Sequence, residues 1–578
     1  MEDGLRERAM LAAAGGAHGL AIWLLVDAWP DSHTARAIAV TLLTFLAVTA
    51  VVFHFAWTAE NRNRLVALTL GTGFVYAAVA GWVGGSLPTP ELVSQSDEDR
   101  AATWVAASLL TLYVLGPFLQ IFQRSGKAHF PYRELFLHGW NNFFVALVGG
   151  LFVGALWIVL MLWAALFELV GIEVFEDLFT EGFFASPVTG AAAGFGIALG
   201  RESERVVSTL RGITLAVFRG LLPLVAFVAL IFLGTLPFTG LGGLWDTNHA
   251  SQLLLTWVAL TILFLNAVYQ DGAGDDLPPP WVRRGVEGAL LAMAVYVGIA
   301  AYGILLRIGQ YGLTPERFWG VLATAVLGAY AFGYALAVLR RGEPWLRMVR
   351  AVNLVVALFV AAIGLLAHTP VLDPIGWSAR SQFKRLAEGR TPAADFDYGY
   401  LQFELGRAGI ARLAELETLD SHPELPVIRE RVALVRAEES YWKWKQRHDS
   451  GFGPDLFEGL PAGATLPEGL IDFVRSENLV WANDSCGAKR YCAAIHVELD
   501  GEAPKEWVLV VHRRSWAQAL AIAETDTGFR SLGVLQPTEG GANPGELEAS
   551  LKASDFGTEA PRFRDFRIGE ARYRVVPN

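Results

Sequence analysis

Cysteine is nearly missing from this chain of 578 residues: Cys486 and Cys492 are the whole complement, separated by five residues. That scarcity excludes a disulfide framework and any cysteine-rich metal centre, and leaves one candidate disulfide, Cys486 with Cys492. Charge is scarce too. Acidic and basic residues together make 18% of the chain against 53% hydrophobic residues, which excludes an ordinary soluble protein of several domains. No long block of like charge occurs, and the net charge of -11 is spread through mixed acidic and basic residues, which excludes nucleic acid as a partner. Catalytic signatures are absent as well: there is no GxSxG elbow, no GxxxxGK[ST] loop, no HExxH and no zinc-spaced Cys/His array. No catalytic residue, metal ligand or cofactor is therefore assigned, and the reading leans away from an enzyme.

Long apolar runs are what the chain has in plenty, and they fall between Met1 and His368. A helix needs about 20 apolar residues to cross the hydrocarbon, because each residue adds about 1.5 Å and no backbone group can go unpaired there. About eleven segments satisfy this: Ala9–Trp29, Ala35–Trp57, Leu65–Gly85, Ala101–Phe122, Asn142–Phe167, Gly182–Gly200, Gly220–Phe238, Leu253–Tyr269, Val286–Leu306, Phe318–Leu339 and Val349–Ala367. The first lacks a convincing cleavage site and ends in bulky residues, so it is expected to be a retained span, not a signal peptide. The sixth is the weakest, rich in Gly and Ala and carrying Pro187.

Arginine and lysine then sort the connections. Arg6 and Arg8 precede the first span, Arg62 and Arg64 follow the second, and Arg124, Lys127 and Arg133 follow the fourth. Arg201, Arg205 and Arg211 follow the sixth, Arg283 and Arg284 the eighth, and Arg340, Arg341 and Arg347 the tenth. The alternate connections are poorer, apart from the one holding Arg307 and Arg317. The positive-inside rule thus predicts a cytoplasmic N-terminus and, with an odd number of spans, an exported tail.

The predicted architecture is an all-α transmembrane bundle over 1–368, a helical extracytoplasmic segment over 369–450 and an α+β extracytoplasmic domain over 451–578. Helical periodicity covers Ser378–Leu419 and Pro426–Lys445. Strands are predicted at Ala493–Glu498, Glu506–His512, Ala519–Glu524 and Phe529–Leu535 as an antiparallel meander, with a last hairpin over Arg562–Val576.

Polar groups within spans are costly and are candidates for function. They are His18, His54, Asn266 and Asn353; facing histidines would relay protons or bind a ligand, while the blander reading is a hydrogen bond between helices. Glu202–Phe218 can form an amphipathic interfacial helix with Arg219 as its anchor. Pro117, Pro187 and Pro223 read as kinks. The pairs Gly150 and Gly154, Gly190 and Gly194, and Gly196 and Gly200 read as close helix packing within the bundle, or else as an interface of a homo-oligomer. Asp395, Asp397 and Glu404 could form a catalytic pair, but in helical, charged sequence they read as a solvated face.

Four stretches, FPYRELFLHGWNNFF (130–144), YGLTPERF (311–318), LDPIGWSARSQ (372–382) and FDYGYLQFELGR (396–407), resemble a bacterial family of polytopic membrane proteins known as domain of unknown function 4153. The resemblance covers the chain to about Leu419 and implies a bacterial cytoplasmic-membrane location, with no catalytic residue to carry over. Physically, Thr314 is suited to cap the tenth span with Pro315 in its first turn. The predicted topology also gathers Tyr311, Arg317, Asp373, Arg380, Phe403, Glu404 and Arg407 outside, where arginines would bind anions or carboxylates as one ligand site. The leading functional expectation is a membrane scaffold or regulator whose exported domain binds an envelope protein or lipid partner. A transporter or flippase is the alternative, and an envelope-modifying enzyme the third.

Overall fold

The computed structural model describes residues 2–30, 32–87, 95–242, 249–270, 278–340, 342, 344–419, 422–448, 457–461, 464–467, 469–470, 473–474, 492–499, 506–512, 517–525, 528–535, 544–558, 566–568 and 571–573. They fall into two compact units, one of Met1–Phe396 with Phe403–Leu425 and one of Asp397–Gln402 with Pro426–Asn578.

The first unit is helical: α1 (Glu2–Asp27), α2 (His33–Ala56), α3 (Arg62–Ser86), α4 (Gln95–Ser125), α5 (Tyr132–Glu168), α6 (Val174–Thr180), α7 (Gly182–Glu202), α8 (Glu204–Thr239), α9 (Ala250–Tyr269), α10 (Pro280–Tyr311), α11 (Pro315–Leu339), α12 (Val349–Leu366), α13 (Pro374–Ala387) and α14 (Gly406–Glu417). Among the described residues, eleven of these are long and apolar enough to cross a membrane, α7 included, and all lie between Gly4 and Leu366. The weak sixth segment is thus one helix through Pro187. Exposed Leu151, Ile158, Val159 and Leu162 on α5 are what a lipid-facing surface looks like.

Several helices overshoot their apolar runs. The run expected at Asn142 begins at Tyr132, and the one expected at Gly220 begins at Glu204. The amphipathic segment over Glu202–Phe218 is therefore no separate helix: its residues from Glu204 onward are the first turns of α8, because nothing between Phe218 and Gly220 breaks the hydrogen-bond ladder. Thr314 caps α11 as expected, accepting from the Arg317 N–H at 3.4 Å with Pro315 in the first turn.

Two apolar centres hold the bundle. One is built from α8 to α12 around Val258, Leu265, Leu290, Met293 and Tyr334, and the other from α1 to α4 around Leu11, Leu65, Tyr76 and Ala80. The closest helix pair is α1 with α7. A Cβ on Gly15 would stand 2.1 Å from the Gly190 carbonyl oxygen, and one on Gly194 would stand 2.3 Å from that of Leu11. Only hydrogen at these positions lets the backbones touch. Gly196 and Gly200 meet α5 at Gly149 and Val145. Two of the three glycine pairs thus pack inside the bundle, whereas Gly150 and Gly154 have nothing within 4 Å.

The second unit holds α15 (Leu425–Ala437) from its second residue on, α16 (Tyr441–His448) and a sheet in the order β1-β2-β3-β4-β5. The strands are β1 (Glu458–Leu460), β2 (Cys492–Val497), β3 (Glu506–His512), β4 (Ala517–Thr525) and β5 (Gly528–Leu535). The meander β2 to β5 is antiparallel as expected; β1, parallel to β2, was not foreseen because three residues show no alternation. Alternate residues serve two cores. Cys492, Ala494, Trp507 and Leu509 face one, while Ala493, Ile495, Val508 and Val510 face the other with Leu551 of α17 (Pro544–Lys552). Opposite the shift at Ala521 and Ile522, Gly533 takes φ 127°, a bulge geometry that favours glycine. The last hairpin is present as β6 (Phe566–Ile568) and β7 (Ala571–Tyr573). Cys492 is buried on β2, and Cys486 lies outside the described residues.

Candidate functional site

Six helix ends meet around a cavity of about 610 Å³. Glu7 comes from the start of α1, Phe55 to Thr58 from the end of α2, Gln120 and Arg124 from the end of α4, and His138, Asn141 and Asn142 from the start of α5. Arg201 and Glu202 close α7, and Glu204, Arg205, Ser208 and Arg211 open α8. The spacing of His138, Asn141 and Asn142 at i, i+3 and i+4 puts all three on one helix face. Glu7, Arg124, His138, Asn141, Arg201, Glu202 and the α8 residues lie in the overshoots, where a helix leaves its apolar run and can afford polar side chains, while Gln120 and Asn142 lie just inside theirs.

The polar groups divide into those that hold the walls and those left for a ligand. Gln120 and Asn142 form a reciprocal amide pair, at 2.9 and 3.0 Å, and Gln120 also donates to the Phe55 carbonyl at 2.9 Å. Arg201 donates to the His54 carbonyl at 2.9 Å and to that of Trp57, satisfying carbonyls that the end of α2 leaves without helical partners. Arg211 is held by Asn141 Oδ1, and the Ser208 hydroxyl is spent on the Arg205 carbonyl at 3.0 Å. Glu202 is engaged by Arg8. The guanidinium groups of Arg124 and Arg205, by contrast, have no hydrogen-bond or ion-pair partner among the described residues. Four arginines and three glutamates line the cavity, and with Glu202 neutralised by Arg8 a surplus of two positive charges remains.

Guanidinium groups present planar forks of N–H donors that match carboxylate and phosphate oxygens. The arrangement can hold an oxyanion. The Thr58 and Ser208 hydroxyls each donate to a backbone carbonyl, and among the described residues no group of three His, Cys, Asp or Glu side chains could hold a metal ion. Sequence reading used Arg124, Arg201, Arg205 and Arg211 only as markers of sidedness. The missed signal was HGWNN (138–142), whose amides and imidazole share a helix face in an otherwise apolar helix.

The residues expected to form an external site lie at the opposite span ends, where Arg317, Asp373 and Arg407 are engaged by near neighbours and not by one another. Arg317 stacks 5.5 Å from the Tyr311 ring centroid and donates to the Gly312 carbonyl at 2.6 Å. Asp373 caps α13 through the Ile375 N–H at 3.2 Å and pairs with Arg100 at 2.9 Å. Arg407 donates to the Gly85 carbonyl at 3.0 Å, Arg380 is exposed, and Phe403 and Glu404 are half-buried.

The four intramembrane polar residues form two clusters. The His18 and His54 rings meet edge to face at 6.1 Å. His54 Nδ1 faces the Ala50 carbonyl at 2.6 Å and Nε2 that of Leu11 at 3.0 Å, so its ring ties α2 to α1. Asn266 and Asn353 share a network with Tyr132 and Tyr334: Asn266 Nδ2 reaches the Tyr334 hydroxyl at 3.0 Å, and Asn353 Nδ2 the Tyr132 hydroxyl at 2.7 Å. That network links α5, α9, α11 and α12, which is a structural use of both asparagines.

No curated protein and no solved structure matches the chain. A family model does, over residues 19–416, about two thirds of the sequence and the whole of the cavity except Glu7. This multi-pass membrane protein belongs to the family described as domain of unknown function (DUF4153).

Proposed function

We propose that the chain is a membrane-embedded binding protein for an oxyanion ligand, a phosphate- or carboxylate-bearing molecule held among Arg124, Arg201, Arg205 and Arg211. The observation that carries this reading is the convergence of four arginines, two of them unpartnered among the described residues, on one cavity. The connections at those span ends are the arginine-rich ones, so the positive-inside rule places the mouth of the cavity in the cytoplasm of a bacterial cell, with the N-terminus. With eleven candidate spans among the described residues, the same orientation in the inner membrane puts the distal unit outside. The test is thermal unfolding of the purified protein against inorganic phosphate at constant ionic strength. Phosphate raises the wild-type midpoint, and the double variant R124Q/R205Q, whose side chains hold no described residue, weakens the effect roughly tenfold or more in apparent affinity. An equal shift in both proteins, or none in either, rules the reading out.

A second role, the scaffold or regulator whose exported unit grips an envelope partner, is supported by β5. Among the described residues it is an outer strand of its sheet, and Leu532, Val534 and Leu535 on it are exposed. An outer strand of that kind accepts another strand through its free backbone groups. Crosslinking in intact cells is expected to trap an envelope protein on wild type and lose it in L532K/V534K; a trapped partner unaffected by both lysines counts against β5.

A further inference from the structure

A second cavity, of about 430 Å³, lies among α1, α2 and α7 and shares Phe55 with the arginine-lined one. His54 and Ile197 of the second adjoin Phe55 and Ala198 of the first, so the two lie one after the other along α2 and α7. Its character is opposite. Small residues such as Gly15, Gly19, Gly190 and Ala193 line it, and the space exists because the α1 and α7 backbones touch and project no side chains there. Its polar atoms are largely spent. Both His54 ring nitrogens face backbone carbonyls, His18 Nδ1 faces the Ala14 carbonyl at 2.8 Å, and Thr189 Oγ1 accepts from Trp157 Nε1 at 3.0 Å. Apart from the Ser186 hydroxyl and His18 Nε2, what remains is carbon surface within the apolar stretch of the spans, with Val51 on its wall 36% exposed.

A charged chamber at the membrane face with an apolar pocket next to it within membrane depth matches the chemistry of an amphiphile. Basic pockets between spans on the cytoplasmic side suit anionic lipid headgroups. A soluble oxyanion would leave the apolar pocket unused, whereas an acyl chain reaches it from the bilayer without crossing water. We infer that the ligand is an anionic phospholipid, with its phosphate among the arginines and one acyl chain in the pocket between α1, α2 and α7. This rests on the oxyanion site proposed above and adds the source of the oxyanion.

The test uses the full chain in amphipol with three probes: dioctanoyl phosphatidic acid, glycerol 3-phosphate, which carries the same headgroup without chains, and dioctanoyl phosphatidylcholine. Phosphatidic acid is expected to bind at least roughly tenfold more tightly than either of the others, since burying even two methylenes is worth about that factor. Ala193→Leu and Val51→Phe fill the pocket from different helices and are expected to remove the advantage of the chains while leaving glycerol 3-phosphate binding unchanged. Equal affinity for phosphatidic acid and glycerol 3-phosphate overturns the lipid assignment and leaves the oxyanion site standing. So does lipid binding that neither substitution alters, or phosphatidylcholine bound as tightly as phosphatidic acid. Failure of both phosphate probes to bind removes both proposals.

Discussion

Nδ1 of His368 faces the Gly364 carbonyl at 3.0 Å, whereas Nε2, which is buried, has no hydrogen-bond partner among the described residues. The ring lies between Trp104 and Trp319, at centroid distances of 5.3 and 5.5 Å, just beyond the last residue of α12. Burial lowers its pKa from the ordinary 6.5, the nearby Arg100 lowers it further, and the Gly364 bond and Asp373 oppose the shift without cancelling it. The unfolded chain then binds a proton that the folded chain refuses as pH drops below about 6.5. Stability is expected to be level above that value and to decline below it, down to the folded-state pKa. His368→Leu should flatten the acid side of a plot of unfolding free energy against pH by the equivalent of one proton. An unchanged slope in the variant would assign the acid sensitivity to other groups.

At the scale of elements, the α1 and α7 crossing and the free face of α5 make a controlled comparison. Gly15→Val puts a branched side chain where even a Cβ stands 2.1 Å from a carbonyl oxygen, so the two helices must separate along their length. We expect a loss of about 3 kcal/mol or more, read as a lower unfolding midpoint in detergent. Gly154→Ala meets nothing within 4 Å and replaces glycine by a better helix former, so it should be neutral to slightly stabilising. A Gly154→Ala variant as unstable as Gly15→Val would show that α5 is covered by something else, such as another copy of the chain.

For the whole molecule, parity is the quantity that matters: α7 forms a complete helix of 21 residues, and with it the number of candidate spans among the described residues is odd. An epitope at the C-terminus is therefore expected to be removed by protease added to sealed, right-side-out spheroplasts, while one at the N-terminus survives until the membrane is broken. Survival of the C-terminal epitope would move the distal unit to the cytoplasm and cancel the envelope-partner role. The arginine cavity and β5 would then lie on the same side.

Helix number and the meander of the distal sheet were legible in the residues, because hydrocarbon-length apolar runs and alternation along a strand are local properties that each segment carries alone. The histidine and asparagine candidates were legible as polar groups in apolar helices, but not as partners. Asn266 and Asn353 are 87 positions apart in the chain and meet only because α9, α11 and α12 pack together. The cavity was invisible for a further reason. Its arginines sit in different connections and overshoots, where hydropathy marks only the end of a run, and their meaning depends on six helix ends arriving at one place. Local sequence thus determined what each helix is made of and which medium it prefers. Which side chains share a space was decided by packing, since contact between distant segments depends on how close their backbones come, and at Gly15 and Gly190 that distance is set by two missing methyl groups.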